Sequence, residues 1–384
     1  MPSSKHVHAV VQVMAGLALN VYPAMFIAVY ARVAPIENQG FLALSLAVGV
    51  YVAQLFNAFI VEGRLATPEA DHDLSLPSWA AALTLAAGAL LAIGPPVAPS
   101  VVLMISSIGI MTGLLMSRTI GVVSGRWQME AGAAAILGVA SLAALLLARA
   151  HNGNCVRVLA VGAMAAILVR YWPRTALRGL VLPPDIRRAS WVTGETAVVG
   201  AVQPAITSIV LVMLGPAASV AFRVISTMSG ALEPILAYGR YRLLAHGHKG
   251  EIAIVAVIFT AGLAAVLGVA FSGLGQLVFG SAWANVGAVA LLLACVWKGV
   301  MLLSTVPFAA LRKAGETALV FWIRSISTVI YLIIGVAAVA IWQSNTAIFL
   351  GFAVAEMATA AVYHVAAVRG APDYQVRLRR SERQ

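Results

Sequence analysis

Two stretches of the chain decide its fold: VYPAMFIAVYARVAPIENQGFLALSLAVG at residues 21–49 and VQPAITSIVLVMLGPAASVAFRVISTMSG at residues 202–230. They align without a gap when they are offset by 181 positions. An alanine-rich composition does not account for the matches, because they include two prolines and a phenylalanine. The pattern predicts two homologous halves, and the matched pairs are Val21/Val202, Pro23/Pro204, Ala24/Ala205, Pro35/Pro216, Phe41/Phe222, Ser45/Ser226 and Gly49/Gly230.

The composition predicts that the bilayer is the solvent for most of the chain. Of its 384 residues, 61% are hydrophobic and only 10% are charged, against roughly a quarter charged in ordinary soluble domains. In hydrocarbon every backbone polar group must bond internally, and the apolar runs are too long and too rich in Ala, Leu and Gly for barrel strands. We therefore expect an all-α polytopic membrane protein.

A crossing needs about 20 apolar residues, and this length divides the chain into twelve apolar runs. Because each half has an even number of runs, the halves are predicted to be parallel, with a central cavity between them. The predicted domains are an N-terminal six-helix bundle (1–174), a cytoplasmic basic linker (175–190), a C-terminal six-helix bundle (191–369) and a basic cytoplasmic tail (370–384). The runs lie at 9–31, 39–61, 77–95, 98–117, 128–148, 155–173, 191–214, 217–240, 250–273, 283–309, 317–341 and 345–368.

A proline lies mid-way along the first predicted helix of each half, at Pro23 and Pro204. Proline has no backbone donor and frees a carbonyl of the preceding turn, which permits a bend. Helices that bend at this point would suit alternating access, so both prolines are hinge candidates. The alternative is that they are plain kinks, which membrane helices tolerate.

The basic residues predict the orientation of the chain. Lysine and arginine concentrate in every second gap between runs, whereas the other gaps hold only Arg32, Arg149 and Arg157. The positive-inside rule then places both termini in the cytoplasm and the chain in the cytoplasmic membrane. Orientation also explains the net charge of +11 without a nucleic-acid partner, because the charges lie in short gaps and not on a folded basic domain.

The motifs of common enzyme classes are missing from the sequence. It contains no Walker A loop, no G-x-S-x-G, no HExxH and no acidic cluster of the glycosyltransferase kind. Cys155 and Cys295 cannot form a C-x-x-C pair, and no acid-rich ligand set accompanies the histidines. We therefore predict a transport protein that is not an enzyme and that binds neither a cofactor nor a metal.

Ionisable residues at membrane depth are costly unless they face a cavity or a partner. We expect them only in the second half, with no buried arginine in the first. Arg223 is the strongest candidate, because its counterpart at the offset of 181 is Leu42 and because a guanidinium fork suits phosphate or carboxylate. The candidates for the substrate cavity are Arg223, Glu233, Lys298, Arg324 and Glu356.

Structural roles stay open for several candidates. Arg324 could pair with Glu356 to hold helices together, and Glu233 could pair near the inner face or act as a protonatable coupling group. The first half contributes the uncharged candidates Asn20, Gln54 and Asn57. Gln54 and Asn57 are three residues apart and share a helix face, which fits either a cavity lining or hydrogen bonds between helices.

Three segments resemble one known family. YARVAPIENQGFLALSLAVGVYVAQLFNAFIVEG, residues 30–63, resembles the first helical hairpin of the polysaccharide-transporter (O-antigen flippase-like) branch of the multidrug/oligosaccharidyl-lipid/polysaccharide exporter superfamily. LGPAASVAFRVISTMSGALEPIL, residues 214–236, resembles the equivalent hairpin of the second half. Residues 278–320 are similar to the tenth helix of the family.

The resemblance implies two bundles in a V that move a lipid-linked glycan between leaflets by alternating access, for cell-surface polysaccharide biosynthesis. Members that handle diphosphate lipids are expected to line the cavity with cations, which supports Arg223, Lys298 and Arg324 as candidates. The implied partners are a lipid-linked anionic glycan, membrane lipids, and polysaccharide polymerases or glycosyltransferases.

Three alternatives stay open from the sequence. A major facilitator transporter would also have six plus six helices, but the segment EGRLATPEADHDLSLP, residues 62–77, is net acidic where such proteins carry a basic signature. A multidrug exporter of the same superfamily is favoured if Glu233 and Glu356 bind cations. A membrane scaffold of envelope assembly would need no water-filled path past Arg223.

Overall fold

The structure is a computed structural model, and every regular element in its described residues is a helix. It describes residues 4–65, 76–95, 97–124, 126–171, 182–183, 185–233, 235–236, 249–314 and 316–370. Half of the predicted basic linker (175–181 and 184) and all of the predicted tail after Gly370 lie outside these residues. For these residues the positive-inside argument for membrane orientation therefore rests on the sequence alone.

The helices of the first half follow the predicted apolar runs. They are α1 (Ser4–Val33), α2 (Ile36–Asn57), α3 (Ser78–Ile93), α4 (Ser100–Val123), α5 (Trp127–Arg149) and α6 (Cys155–Tyr171). The helix α2 continues through a π-helical stretch (Ala58–Glu62) and a last turn (Gly63–Leu65).

The helices of the second half are more broken. A bend of 66° separates two helices near Gly273, whereas the seventh predicted run forms one apolar span, Ala189–Leu214, in which α7 and α8 meet at the helical residue Ala201. These helices are α7 (Ile186–Gly200), α8 (Val202–Leu214), α9 (Pro216–Gly230), α10 (Lys249–Phe271), α11 (Leu274–Phe279) with a 3₁₀ turn (Gly280–Asn285), α12 (Ala288–Lys313), α13 (Thr317–Trp342) and α14 (Asn345–Gly370).

The chain is a multi-pass membrane protein of the helical class. Among the described residues, eight helical stretches are long and apolar enough to cross a bilayer, or nine if the bent pair of α10 and α11 is one span. The predicted count of twelve crossings stays a prediction, because α3 and α9 are shorter than a full crossing.

Two compact units can be distinguished in the described residues. The first falls within Met1–Val224 and Gln276–Asn285, and the second within Ile225–Gly275 and Val286–Gln384. The boundary between them lies inside α9, and the short segment 276–285 groups with the first unit although it belongs to the second half of the sequence. The predicted division at 175–190, which concerns the sequence repeat, stays a prediction.

The helix ends follow the offset of the repeat. The helix α1 ends at Val33 and α8 ends at Leu214, which are 181 positions apart. Pro35 precedes the first residue of α2, and its counterpart Pro216 begins α9. Proline has no N–H to donate, so both helices begin where an N–H would have no partner within the helix.

A second register of the repeat appears in the structure and relates α4–α6 to α12–α14 at an offset of 190. The helix α5 begins at Trp127 and α13 at Thr317, while α6 begins at Cys155 and α14 at Asn345. The turn before α5 and the turn before α13 also share their backbone hydrogen bonds at this offset. Before α5 the bonds are Ser124 N to Ile120 O, Arg126 N to Gly121 O and Glu130 N to Arg126 O. Before α13 the corresponding bonds are Ala314 N to Ala310 O, Glu316 N to Leu311 O and Val320 N to Glu316 O.

The two hinge candidates both lie inside long helical spans. Pro23 is buried inside the continuous helix α1. Pro204 is also buried and lies three residues after Ala201, within the apolar span Ala189–Leu214. Ala201 keeps right-handed helical dihedral angles, and the N–H groups of Ala201 and Ala205 donate to the carbonyls of Ala197 and Ala201, so the helical hydrogen bonds continue through this point. Hinge motion at either proline stays a prediction.

Candidate functional site

Arg223 is a buried cation on α9, with 8% of its surface exposed. Its Nη1 donates a hydrogen bond of 3.2 Å to Oε1 of Gln203 on α8. At the offset of 181, Gln203 corresponds to Tyr22 and Arg223 corresponds to Leu42. Both members of the pair therefore differ from the first half, where Tyr22 instead donates to the carbonyl of Leu159 and Leu42 is apolar and buried.

Lys298 on α12 forms an ion pair in the second unit. Its Nζ lies 2.6 Å from Oε1 of Glu233, and only 4% of the Lys298 side chain is exposed, against 55% of the Glu233 side chain. The same Nζ lies 4.0 Å from the ring centroid of Trp297, within cation–π distance. A buried ammonium thus meets a carboxylate that is exposed at the surface of the described residues.

Glu356 on α14 is a buried carboxylate held by hydroxyl groups. Ser304 donates to its Oε1 at 2.7 Å, and Tyr331 donates to its Oε2. The indole of Trp297 donates in turn to the Tyr331 hydroxyl at 3.2 Å. Neither oxygen of Glu356 bonds a cation among the described residues, so its direct partners are two hydroxyl groups, with the Trp297 indole behind Tyr331.

Arg324 does not form the pair with Glu356 that the sequence left open. Its guanidinium carbon lies 5.0 Å from the ring centroid of Phe308, and the side chain is half-buried. Glu356 accepts hydrogen bonds from Ser304 and Tyr331 and forms no ion pair with Arg324. The alternative in which Arg324 pairs with Glu356 to hold helices together is therefore wrong, and Arg324 makes a cation–π contact instead.

The uncharged candidates of the first half do not form one site. Asn57 is buried, and its Nδ2 donates to Oε1 of Glu62 at 2.9 Å, five residues along the same segment. Gln54 is exposed and lies beside Gly200, where an added Cβ would be 3.1 Å from its Oε1. Asn20 is half-buried on α1. Asn57 therefore stabilises the π-helical end of α2, and a cavity role for these residues stays a prediction.

The first half holds a buried ion pair that sequence reasoning missed. Nη2 of Arg170 on α6 lies 2.9 Å from Oε2 of Glu130 on α5, and their side chains are 1% and 0% exposed. Arg170 also donates to the carbonyl of Leu114 at 3.2 Å. The expectation that the first half lacks buried arginines is wrong, because the Arg170 side chain is buried in the helix packing with Glu130.

A signal for this pair exists in the chain but only at the offset of 190. That register places Val320 over Glu130 and Ala360 over Arg170, and both counterparts are apolar. The register follows from turn geometry and not from shared residues, so the sequence alone does not reveal it. Among the described residues, no three His, Cys, Asp or Glu side chains converge as metal ligands would.

No protein-family model matches the sequence, and no curated protein matches it. The chain is similar in fold to an outward-facing multidrug resistance MATE family transporter of the MOP superfamily, at 14% identity and a TM-score of 0.46 over 94% of each chain. It is similar to a MOP superfamily transporter from Pyrococcus furiosus, at 13% identity and 0.45 over 94% of this chain and 92% of that one. It is also similar to a MATE transporter of Vibrio cholerae, at 14% identity and a TM-score of 0.45 over 96% of this chain and 97% of that one. Likeness at this level leaves the function to be argued from the residues of this chain.

Proposed function

We propose that the chain is a membrane transporter that flips a lipid-linked oligosaccharide, carried on a polyprenyl phosphate or diphosphate, across the cytoplasmic membrane by alternating access. The observation that carries the proposal is the Arg223–Gln203 pair. The repeat offers an internal comparison in which the same two positions hold Leu42 and Tyr22. The hairpin can therefore fold without a cation, so folding does not explain why the second half has Arg223 at this position.

Arg223 and Gln203 supply the chemistry that a phosphate headgroup needs. An anionic headgroup cannot enter hydrocarbon without a large desolvation cost. A guanidinium offers up to five N–H donors in a planar fork that matches two phosphate oxygens, and it stays charged in a site of low polarity. In this role Gln203 orients the fork through Nη1, while the amide group of Gln203 is itself able to contact a sugar hydroxyl or phosphate.

Lys298 is the second cation of the proposal. It is buried, yet its partner Glu233 is more than half exposed, so the pair can open from the Glu233 side without moving the lysine. A diphosphate would replace the carboxylate as the counter-ion of Lys298. Glu233 therefore neutralises Lys298 when no substrate is bound. Glycosyltransferases that make such a lipid and polymerases that consume its glycan stay the expected partners.

Glu356 favours a second candidate function, a cation-coupled or proton-coupled exporter of small molecules. A buried carboxylate compensated by two hydroxyl groups, with no cation bonded to it in the described part of the chain, suits reversible binding of a proton or a metal cation. This function would need no phosphate-bearing substrate. The two candidates differ in whether Arg223 or Glu356 is indispensable for the transported compound.

The test is mass spectrometry of membrane lipids from cells that contain the protein, lack it, or carry a variant. The informative variant is the double substitution Gln203→Tyr with Arg223→Leu, because it installs the pair that the first half already accommodates. We expect a polyprenyl-linked oligosaccharide to accumulate in the depleted cells and in the double variant. Arg149→Leu, which removes an exposed arginine at the end of α5, is the matched control and should not cause accumulation.

If depleted cells accumulate no such lipid and become sensitive to small cationic compounds, the exporter function replaces the proposed one. In that case Glu356→Gln should reproduce the sensitivity, and the Gln203/Arg223 double variant should not. Accumulation in depleted cells without accumulation in the double variant would keep lipid transport but remove Arg223 from it.

A further inference from the structure

We infer that Trp297 on α12 is a positioning residue for Lys298. Two further side chains, Tyr331 and Glu356, hold Trp297 in the orientation that this role needs. All four side chains belong to the second unit. The inference rests on the proposed function in one respect, because there Lys298 receives the phosphate headgroup. It adds the means by which the fold keeps the ammonium in place when the substrate displaces Glu233.

The ammonium of Lys298 has two kinds of contact. Its Nζ lies 2.6 Å from Oε1 of Glu233 and 4.0 Å from the ring centroid of Trp297. The Glu233 side chain is 55% exposed, whereas Trp297 is buried together with Lys298. In the proposed transport a phosphate replaces the carboxylate, and the Trp297 ring is then the contact that stays with the ammonium.

The contact between Lys298 and Trp297 does not follow from the helix that carries them. Adjacent residues leave an α-helix about 100° apart, so their side chains do not face each other. The indole ring and the lysine stem must therefore turn toward one another. Because both side chains are buried, groups on the neighbouring helices are able to hold the ring in this orientation.

Side chains on α13 and α14 supply this restraint. Nε1 of Trp297 donates to the hydroxyl of Tyr331 at 3.2 Å, and that hydroxyl donates in turn to Oε2 of Glu356. Because the single hydrogen of the Tyr331 hydroxyl points at the carboxylate, its lone pairs face other donors and accept from the indole. The ring of Phe352 packs against the indole, with 5.1 Å between the ring centroids. A hydrogen bond at its edge and an aromatic neighbour thus fix the orientation of the Trp297 ring.

The first unit has the corresponding helices without this group of side chains. At the offset of 190 the counterparts are small or aliphatic, and none is aromatic or charged. They are Ser107 for Trp297, Ile108 for Lys298, Ser141 for Tyr331 and Ala166 for Glu356. The lysine, the ring beside it and the two groups that orient the ring thus occur together in one unit and are replaced together in the other. This pattern is expected if the four side chains serve one purpose.

A ring that stays beside the ammonium has two effects on an incoming phosphate. The negative face of the indole stabilises the buried charge while one anion replaces another. The ring also keeps Nζ from turning away on its flexible four-carbon stem, so less side-chain freedom is lost when the phosphate binds. Both effects make the Lys298 site bind a phosphate group more tightly.

The experiment is a double-mutant cycle on Trp297 and Lys298 in the purified full chain, with inorganic pyrophosphate as the probe and isothermal titration calorimetry as the measurement. We expect Trp297→Leu and Lys298→Gln each to weaken pyrophosphate binding by roughly tenfold. Because Trp297 acts through Lys298, the double variant should bind no more weakly than Lys298→Gln alone. Trp342→Leu removes an exposed indole at the end of α13 and should change the affinity less than about twofold.

Additive losses in the double variant would overturn the inference, because Trp297 would then act independently of Lys298. Weaker binding in Lys298→Gln with unchanged or tighter binding in Trp297→Leu would also overturn it, and would leave the proposed role of Lys298 intact. If Trp297→Leu does not yield a folded protein by gel filtration, Trp297→Phe replaces it in the cycle. This variant keeps a ring but loses the N–H that orients it, and it should weaken binding by about threefold.

A second measurement separates the inference from the proposed function. Reductive methylation with formaldehyde and cyanoborohydride labels lysine amines, and mass spectrometry reads the labelling of Lys298 against that of Lys5 in α1. We expect Trp297→Leu to raise the relative labelling rate of Lys298, because the ammonium is no longer held against the ring. If Lys298→Gln does not change pyrophosphate binding, the proposed role of Lys298 fails, while faster labelling still supports its positioning by Trp297. An unchanged labelling rate would overturn the inference.

Discussion

At the scale of single residues, the chain places its buried charges where its own repeat has apolar or small side chains. Arg223 corresponds to Leu42, Glu130 to Val320 and Arg170 to Ala360. Each substitution can therefore be tested by installing the residue that the other half uses. This internal reference separates the stability of the scaffold from the function of the charge.

Removing one member of the Glu130–Arg170 ion pair should destabilise the protein much more than replacing both members with apolar residues. We expect Glu130→Ala alone to destabilise the protein by about 3–5 kcal/mol, because it leaves a buried guanidinium without its counter-charge. The double variant Glu130→Val with Arg170→Ala, which installs the counterparts Val320 and Ala360, should recover most of this loss. Thermal unfolding in detergent measures both. A double variant as unstable as the single one would show that the pair is needed by the scaffold.

The hydroxyl of Tyr331 should contribute more to stability than the hydroxyl of Tyr363. Tyr331 donates to the buried Glu356 carboxylate, whereas the Tyr363 hydroxyl has a marginal contact of 3.5 Å with the Val320 carbonyl. We expect Tyr331→Phe to cost about 1–3 kcal/mol, since a buried acceptor loses its donor. Tyr363→Phe is the matched control in the same unit. Equal melting temperatures for the two variants would contradict the assignment.

At the scale of the helices, close packing in the first unit depends on particular glycines. A Cβ at Gly113 on α4 would lie 1.8 Å from Oγ1 of Thr84 on α3, while a Cβ at Gly138 on α5 would meet nothing within 4 Å. The Thr84 hydroxyl also donates across to the Gly109 carbonyl at 2.9 Å. The two helices therefore approach through small residues, as is common between membrane helices.

These two glycines make a matched pair of substitutions. We expect Gly113→Ala to lower the melting temperature and Gly138→Ala to leave it unchanged or raise it slightly, because alanine has the higher helix propensity. Both can be measured by thermal unfolding of the purified protein. A larger loss for Gly138→Ala than for Gly113→Ala would contradict the packing of α3 on α4.

Arg32 at the end of α1 fixes the segment 276–285 to the first unit. Its guanidinium donates to the carbonyls of Leu277 and Val278, and Ser281 donates to the carbonyl of Ala31 at 2.8 Å. Gly280 has φ +56 and lies against the guanidinium, a conformation that favours glycine. Arg32 therefore anchors a segment that lies more than 240 residues away along the chain.

We expect Arg32→Gln to increase amide hydrogen exchange in the segment 276–285, because the carbonyl contacts that hold it are lost. Arg369→Gln is a suitable control, since Arg369 is an exposed arginine in the last turn of α14. Hydrogen exchange with mass spectrometry resolves the segment directly. Unchanged exchange in Arg32→Gln, or equal increases in both variants, would show that the guanidinium does not hold the segment.

At the scale of the whole molecule, the helices could be predicted and the pairing of their side chains could not. The ends of α1, α2, α8 and α9 follow from prolines at 35 and 216 and from apolar length. By contrast, the rotation of an alanine-rich helix about its axis is not visible in the sequence, because most of its faces are similarly apolar. For this reason the sequence leaves open a pair between Arg324 and Glu356 that the structure does not contain, and it gives no sign that Arg170 is buried against Glu130.

The central claim is that the chain moves a phosphate-linked glycan across the membrane by means of Arg223 and Gln203. The most direct measurement is the fraction of polyprenyl-linked oligosaccharide that membrane-impermeant periodate oxidises in intact spheroplasts, read by mass spectrometry. We expect this fraction to be high with the wild-type protein and Arg149→Leu, and to fall to background in depleted cells and in the Gln203→Tyr, Arg223→Leu variant. An equal oxidised fraction in wild-type and depleted cells would contradict it.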